Sequence, residues 1–160
     1  MKRQKGFSLI ELLIVVAIIL IIAAIAVPSY LRSRMAANES AAVASIRTIN
    51  TAQISYNSAY PTVGFASTLS SLAGMNCAPP DSTSACLIDT QLGASPSIKN
   101  GYSFTLSNVT GSPASTYTII GSPTLPNVSG IRYFCSFEDA VVRFSESSIS
   151  SCGSSVTPLQ

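Results

Sequence analysis

Hydrophobic and polar positions divide this chain into three stretches with different rhythms. From Phe7 to Val27 the chain is apolar throughout, apart from Ser8 and the single acid Glu11. At about 1.5 Å per residue, a run of this length makes a helix of about 31 Å, enough to cross the hydrocarbon core of a bilayer. Beyond Pro28 the pattern becomes periodic. Met35, Ala42, Ile46, Ile49, Gln53, Tyr56 and Tyr60 fall on a three-and-four repeat, which predicts an amphipathic helix with one core-facing stripe. The alanine-rich AANESAAVAS favours the same conformation, and Pro61 stops it. The two stretches together predict one helix from Phe7 to between Tyr56 and Ala59, about 75–80 Å long. Pro28 lacks an amide N–H and is expected to kink this helix or loosen the turn before it.

From residue 61 to residue 98 no period is evident, apart from a short helical turn expected near Ser67–Ala73. From Lys99 the rhythm is that of strands. Tyr102, Phe104 and Leu106 alternate with Ser103, Thr105 and Ser107. Thr116–Ile120, Ile131–Phe137 and Ala140–Ser145 are further strand candidates, punctuated by Gly111-Ser-Pro113, Gly121-Ser-Pro123 and residues 126–130. An antiparallel meander of about four strands is expected, with Glu138-Asp139 at the tip of the last hairpin. Pairing its apolar face with the amphipathic half-helix buries both, so the expected class is α+β. The C-terminal SSISSCGSSVTPLQ is too polar to be expected as a strand.

Charge gives the first stretch a direction. Lys2, Arg3 and Lys5 precede it, and a basic flank holds the N-terminus on the cytoplasmic side, so the remainder is expected outside. A secretory signal peptide would use Ala24-Ile25-Ala26 as its cut site, but its apolar core is ordinarily shorter. A plain membrane anchor fits the length equally well. Neither uses Glu11, and a carboxylate in a spanning helix costs up to about 2.5–3.5 kcal/mol at mid-bilayer.

Lys5-Gly-Phe-Ser-Leu-Ile-Glu-Leu-Leu-Ile-Val-Val-Ala-Ile18 resembles the N-terminus of type IV pilins and of the related type II secretion pseudopilins. The resemblance covers about residues 5–30. It implies a leader, residues 1–6, cut after Gly6 by a prepilin peptidase that then methylates the new N-terminal Phe7. It further implies that Glu11 serves assembly. Residues 7–28 become a membrane and polymerisation helix, residues 29–60 its amphipathic continuation, and residues 61–160 a globular, pilin-like head with an antiparallel sheet. Many family members have glycine eight residues before the proline; Leu20 stands there in this chain, which leaves local melting of the helix less assured.

The motif has a physical logic. Cutting after Gly6 removes three cations that pin the helix at the cytoplasmic face and creates an α-amine, which titrates near about 8. Glu11, an acid in a low-dielectric bundle, then finds a cation best on a neighbouring subunit, which favours one stagger between subunits.

Mean hydropathy of +0.41 is high for a soluble protein because the apolar run inflates it. Without the leader, six basic side chains face seven acidic ones, so no strong field for nucleic acid is evident. Cys77, Cys86, Cys135 and Cys152 on the exported side of a membrane are expected to form two disulfides. Three pairings are open. Locality favours Cys77–Cys86 around APPDSTSA, and Cys135–Cys152 between a strand and the tail.

Little else carries chemistry. Histidine is absent, which removes the usual base of a triad and the usual zinc ligand. Glu138-Asp139 is the one adjacent acid pair, and the six to eight oxygens of a calcium site are not visible around it. Asn38-Glu-Ser, Asn108-Val-Thr and Asn127-Val-Ser match the glycosylation sequon, with unmodified loops as the default expectation. Arg32 and Arg34 are placed to meet headgroups or neighbouring acids.

The expected protein is therefore a non-enzymatic subunit of a bacterial type IV pilus, with no cofactor or metal. It resides in the inner membrane with its N-terminus cytoplasmic, then in an extracellular filament. Its expected partners are identical or related subunits, the prepilin peptidase, and the inner-membrane assembly platform and ATPase. A type II secretion pseudopilin is the alternative within the family, and a membrane-anchored or secreted binding module the alternative of another class.

Overall fold

A computed structural model describes residues 7–74, 77 and 79–159. The leader, including Gly6, lies outside the described residues. Helix α1 runs Leu9–Ala59 and continues through Pro28 without a break in its assignment. It ends where Pro61 restricts the residue before it, and the Tyr60 carbonyl then takes the amides of Val63 and Gly64. By contacts the chain divides into two compact units, with the boundary between Arg34 and Met35.

The first unit is helix, and its side chains are exposed almost throughout. In the second unit, α1 turns a mixed face inward: Glu39, Ala42, Val43, Ser45, Ile46, Ile49, Asn50, Ala52, Gln53 and Tyr56. This is the three-and-four stripe, with polar residues in phase with the apolar ones. Helix α2, Leu69–Ala73, is capped by Thr68, whose hydroxyl accepts the Ser71 amide at 3.2 Å.

The sheet has six strands in sequence order: β1 Ser97–Lys99, β2 Tyr102–Gly111, β3 Ala114–Pro123, β4 Tyr133–Phe137, β5 Arg143–Ser145 and β6 Thr157–Pro158. Every neighbouring pair is antiparallel. On one face Phe104 opposes Gly121, and Gly121 in turn opposes Phe134. A Cβ on Gly121 would stand 3.2 Å from Ile46 Cδ1 and 3.3 Å from a Phe104 ring carbon. The missing side chain thus makes a slot between two rings into which Ile46 of α1 fits. Around this row Tyr102, Tyr117, Ile119, Ile49 and Leu72 are fully buried.

Three expectations are corrected. The tail does form a strand, because β6 pairs through its main chain at the sheet edge and keeps its side chains exposed. The Leu159 amide adds a 2.9 Å bond to the Val142 carbonyl. β4 begins at Tyr133 rather than Ile131, because the Ile131 and Arg132 amides turn to the Glu39 carboxylate instead of a neighbouring strand. β5 begins at Arg143 rather than Ala140, because Ala140 has φ +59° and closes a turn onto the Phe137 carbonyl at 2.8 Å.

Candidate functional site

The first unit is where an exposed surface calls for an explanation. An 18-residue window of α1 has a mean hydropathy of 3.3, and none of it is buried within the chain. Leu9, Ile10, Leu12, Leu13, Ile21 and Ile25 are each more than half exposed. A monomeric soluble chain rarely shows so long an apolar surface, so it needs lipid, other helices, or each in turn. Phe7 is 73% exposed and stands two residues before the helix. The Ser8 carbonyl takes the Leu12 amide at 3.1 Å, which closes the first turn.

Glu11 lies in that first turn and is exposed. A carboxylate there stands at the positive end of the helix dipole. No salt bridge among the described residues includes it. It is the single charged residue between Phe7 and Leu31. Phe7, Glu11 and Pro28 thus share one continuous unit, with Pro28 inside α1 and Glu11 at its start.

The second unit is fastened by covalent and polar devices. Cys77 is joined to Cys86 and Cys135 to Cys152, with Cα–Cα distances of 5.7 and 5.9 Å. Cys135 is fully buried in the sheet, so the second bridge ties the tail to a rigid anchor.

Glu39 of α1 is the polar fastening that sequence reasoning missed. Its Oε1 accepts the amides of Ile131 at 2.9 Å and Arg132 at 3.2 Å, and its Oε2 accepts Arg132 Nε at 2.7 Å. Burial by itself would raise the Glu39 pKa, but these donors and the guanidinium charge outweigh it and hold the carboxyl below its usual range. One residue earlier, Asn38 Nδ2 donates to the Ser129 carbonyl at 2.9 Å. That side chain is occupied within the fold, which argues against its sequon. Asn108 and Asn127 are exposed at positive φ.

A second network lies deeper. Asn50 Nδ2 donates to Ser136 Oγ at 2.9 Å and to the Ala140 carbonyl at 3.2 Å, while Tyr117 Oη donates to Asn50 Oδ1 at 3.1 Å. Gln53 brackets Ala66, accepting its amide at 2.8 Å and donating to its carbonyl at 3.1 Å.

The Glu138-Asp139 pair is more than a solvated tip. Asp139 takes two bonds from the Arg143 guanidinium, at 2.6 and 3.1 Å, and that guanidinium stacks 4.3 Å from the Phe137 ring centre. Among the described residues no three His, Cys, Asp or Glu side chains gather as a metal site. An open cavity of about 680 Å³ between Phe144 and Thr157 is lined mostly by serines, with Glu146 its one titratable group. Sites of acid–base or nucleophilic chemistry need convergent titratable groups, and this cavity does not supply them.

Residues 1–27 match the family described as the prokaryotic N-terminal methylation motif. The type IV major pilin protein of Myxococcus xanthus is 46% identical over 54 residues, 34% of this chain and 24% of that protein. The type IV wide pilus major component of Thermus thermophilus is 52% identical over 44 residues, 28% of this chain and 34% of that protein. A fimbrial protein of Pseudomonas aeruginosa is 77% identical over 30 residues, 19% of this chain and 20% of that protein. The chain thus spans a fifth to a third of the length of these relatives. No solved structure matches it.

Proposed function

This chain carries the N-terminal methylation segment of the type IV pilin family, and from that premise we propose that it is a structural subunit of a type IV pilus. The observation that carries the reading is the surface of the first unit. Its apolar window is unburied among the described residues, and the one charge between Phe7 and Leu31 is a carboxylate in the first turn of the helix.

The proposed sequence of events follows from that surface. The subunit waits in the inner membrane, Lys2, Arg3 and Lys5 holding its N-terminus on the cytoplasmic side. A prepilin peptidase cuts after Gly6 and methylates the amine of Phe7, so the helix loses the cations that held it at that face. The Phe7 amine of one subunit and Glu11 of the next then neutralise each other in a low-dielectric bundle, and this pairing fixes their stagger. Leaving lipid for a bundle of identical helices costs the apolar side chains little, since both surroundings are apolar. An inner-membrane platform and its ATPase supply the work of extraction. The head, stapled by its disulfides, forms the outer surface of the extracellular filament.

N-terminal sequencing and intact mass of sheared filaments test this. The expected first residue is Phe7 with an added methyl group. Finding Val27 first would assign the segment to a secretory signal and remove the filament. A companion test is Glu11→Ala in an all-mutant pool: insertion into the membrane should persist while filaments are lost or sharply reduced. Normal filaments from that pool would overturn the proposed pairing of Glu11 with the amine.

A further inference from the structure

β1 is shorter than the strand it borders. It pairs with β2 only along Ser97–Lys99, opposite Tyr102, Ser103 and Phe104, while β2 runs on to Gly111. One bond tells which main-chain groups this leaves open. The Gly101 carbonyl takes the Thr124 amide at 2.9 Å, so Gly101 turns its main chain toward the β3 side. That direction alternates along a strand, so Ser103, Thr105 and Ser107 face β3, while Tyr102, Phe104 and Leu106 face β1. β1 answers Tyr102 with Lys99 and Phe104 with Ser97, and there the ladder stops. The next rung belongs to Leu106. Among the described residues nothing takes up its N–H and C=O on that side.

A cavity of about 360 Å³ lies where β1 ends, between residues 67–70, 93–97 and 103–106. None of these residues is charged. Ser97 lines the cavity and is 5% exposed. Its hydroxyl is buried and has no hydrogen-bond partner among the described residues. A buried polar group left unpaired is rare and calls for a reason.

We propose that this cavity receives a short, extended, uncharged segment of another protein, which adds one rung to the sheet at Leu106. The inference concerns the head alone and does not rest on the pilus reading.

The chemistry of the opening selects a peptide. An N–H and a C=O that flank one Cα match the C=O and N–H of one residue in a neighbouring strand. The Ser97 hydroxyl stands one rung away, where it can donate to a carbonyl of the same segment or accept an amide. With no charge in the lining, a charged side chain would lose water there and gain no partner. The segment is short because the ladder breaks beyond Leu106. The register shifts between Ser107 and Thr110, and Asn108 stands at φ +53°. Such a bulge keeps an edge from templating a long strand. A volume near the lower end of ligand sites, about 300–1,000 Å³, agrees with a few residues. The residue opposite Leu106 sets its side chain on the Leu106 face, with Leu69 also in the cavity wall, so a β-branched side chain suits it. The donor is another protein because every strand of this chain already has its place in the sheet, and Cys135–Cys152 ties down the tail.

The probe is the blocked peptide acetyl-Ser-Thr-Val-Thr-Ser-amide, added to the full chain in a non-denaturing detergent with disulfides intact and followed by amide-resolved NMR. The Leu106 amide should shift saturably and exchange with solvent several-fold more slowly, while Ile119, already paired with Ser136, should not respond. Methylating the valine nitrogen removes the donor for the Leu106 carbonyl and should weaken binding several-fold. Ser97→Ala should also weaken binding several-fold. The urea midpoint of the empty variant should stay level or rise, because an unpaired buried hydroxyl has been removed.

No shift at Leu106 up to the solubility of the peptide would overturn the inference, as would equal binding of the N-methylated peptide. A response to N-acetylglucosamine and not to the peptide would assign the cavity to a saccharide and overturn it. A Leu106 shift that grows with protein concentration in the absence of peptide would assign the edge to a second copy, with the same consequence.

Discussion

Glu39→Ala is the substitution through which the head's polar fastening can be measured. The Glu39 side chain is 8% exposed and supplies the acceptor for two amides and one guanidinium. Each part-buried amide left without its acceptor costs about 1 kcal/mol. The ion pair is worth less than about 1 kcal/mol, because the Arg132 side chain is 39% exposed and regains water. The sum for Glu39→Ala is about 2–3 kcal/mol. Glu39→Gln keeps one carbonyl oxygen for the amides but puts an NH2 donor where Oε2 accepts Arg132 Nε, so that bond is lost with the charge and about 1 kcal/mol is expected. The assay is urea unfolding of the full chain in a non-denaturing detergent, disulfides intact, followed by tyrosine near-ultraviolet dichroism. Amide exchange at Ile131 and Arg132 should accelerate in Glu39→Ala and much less in Glu39→Gln. A Glu39→Ala variant within about 0.5 kcal/mol of the parent would refute the clamp, since that is the scale of an ordinary surface substitution. Equal losses in the two variants would refute its division between amides and charge.

Three more outcomes follow from the same structure. Tyr117→Phe withdraws the donor from Asn50 Oδ1 in a fully buried site and should cost about 1–2 kcal/mol in the same urea assay; a neutral result would mean the Asn50 amide is not held as described. Cys152→Ser opens a bridge of sequence separation 17, worth about 3 kcal/mol in the chain-entropy picture, and should release β6; Leu159 should then lose amide protection while Ile119 keeps it, and unchanged protection at Leu159 would show that β6 holds without the bridge. Stability should be flat near neutral pH and fall at both extremes. Glu39, Asp89 and Asp139 have folded pKa values below their ordinary ones, so their contribution is present above about pH 4.5 and lost as pH falls below it. Burial first, then Asp139 and Glu138, push the Tyr117 hydroxyl up to about 12, so its contribution is intact below pH 10 and lost toward pH 12; an unfolding midpoint that stayed level across either range would contradict this.

The long helix was legible because each of its halves has one rhythm: all-apolar up to Val27, and three-and-four where it packs on a core. The stripe read from sequence ran from Met35 directly to Ala42, a gap of two turns, and Asn38 and Glu39 sit in that gap. A polar residue in phase with an apolar stripe is the signal that could have found Glu39 and Asn50. Their partners, Ile131 and Ser136, lie 92 and 86 residues away, beyond any local pattern. The strand starts were misplaced for the same reason. Ile131 and Ala140 have strand-compatible side chains, but the destination of an amide is decided by tertiary contacts. β6 escaped because side-chain alternation cannot reveal an edge strand held by its main chain. In the candidate site, Phe7 and Glu11 were visible through the resemblance of residues 5–18, and that both stand unburied in the isolated subunit could be seen only in the fold.

The order of the sheet bears on how the head comes into being. Each strand pairs with the one made just before it, from β1 through β6, and no strand is inserted between two earlier ones. A chain emerging N-terminus first can therefore add strands one at a time, never holding a finished edge open for a segment still to come. Such local pairing keeps loop-closure entropy small at every step. Two closures join α1 or the sheet to residues made later. The Glu39 carboxylate has its loop only once residue 132 has appeared, and Cys135 has its partner only at residue 152. Truncations that stop between β4 and the tail should thus give a largely built sheet with one unpaired thiol at its centre, a species open to cross-linking with its neighbours. Cys152 acts as the latch that ends this vulnerable interval.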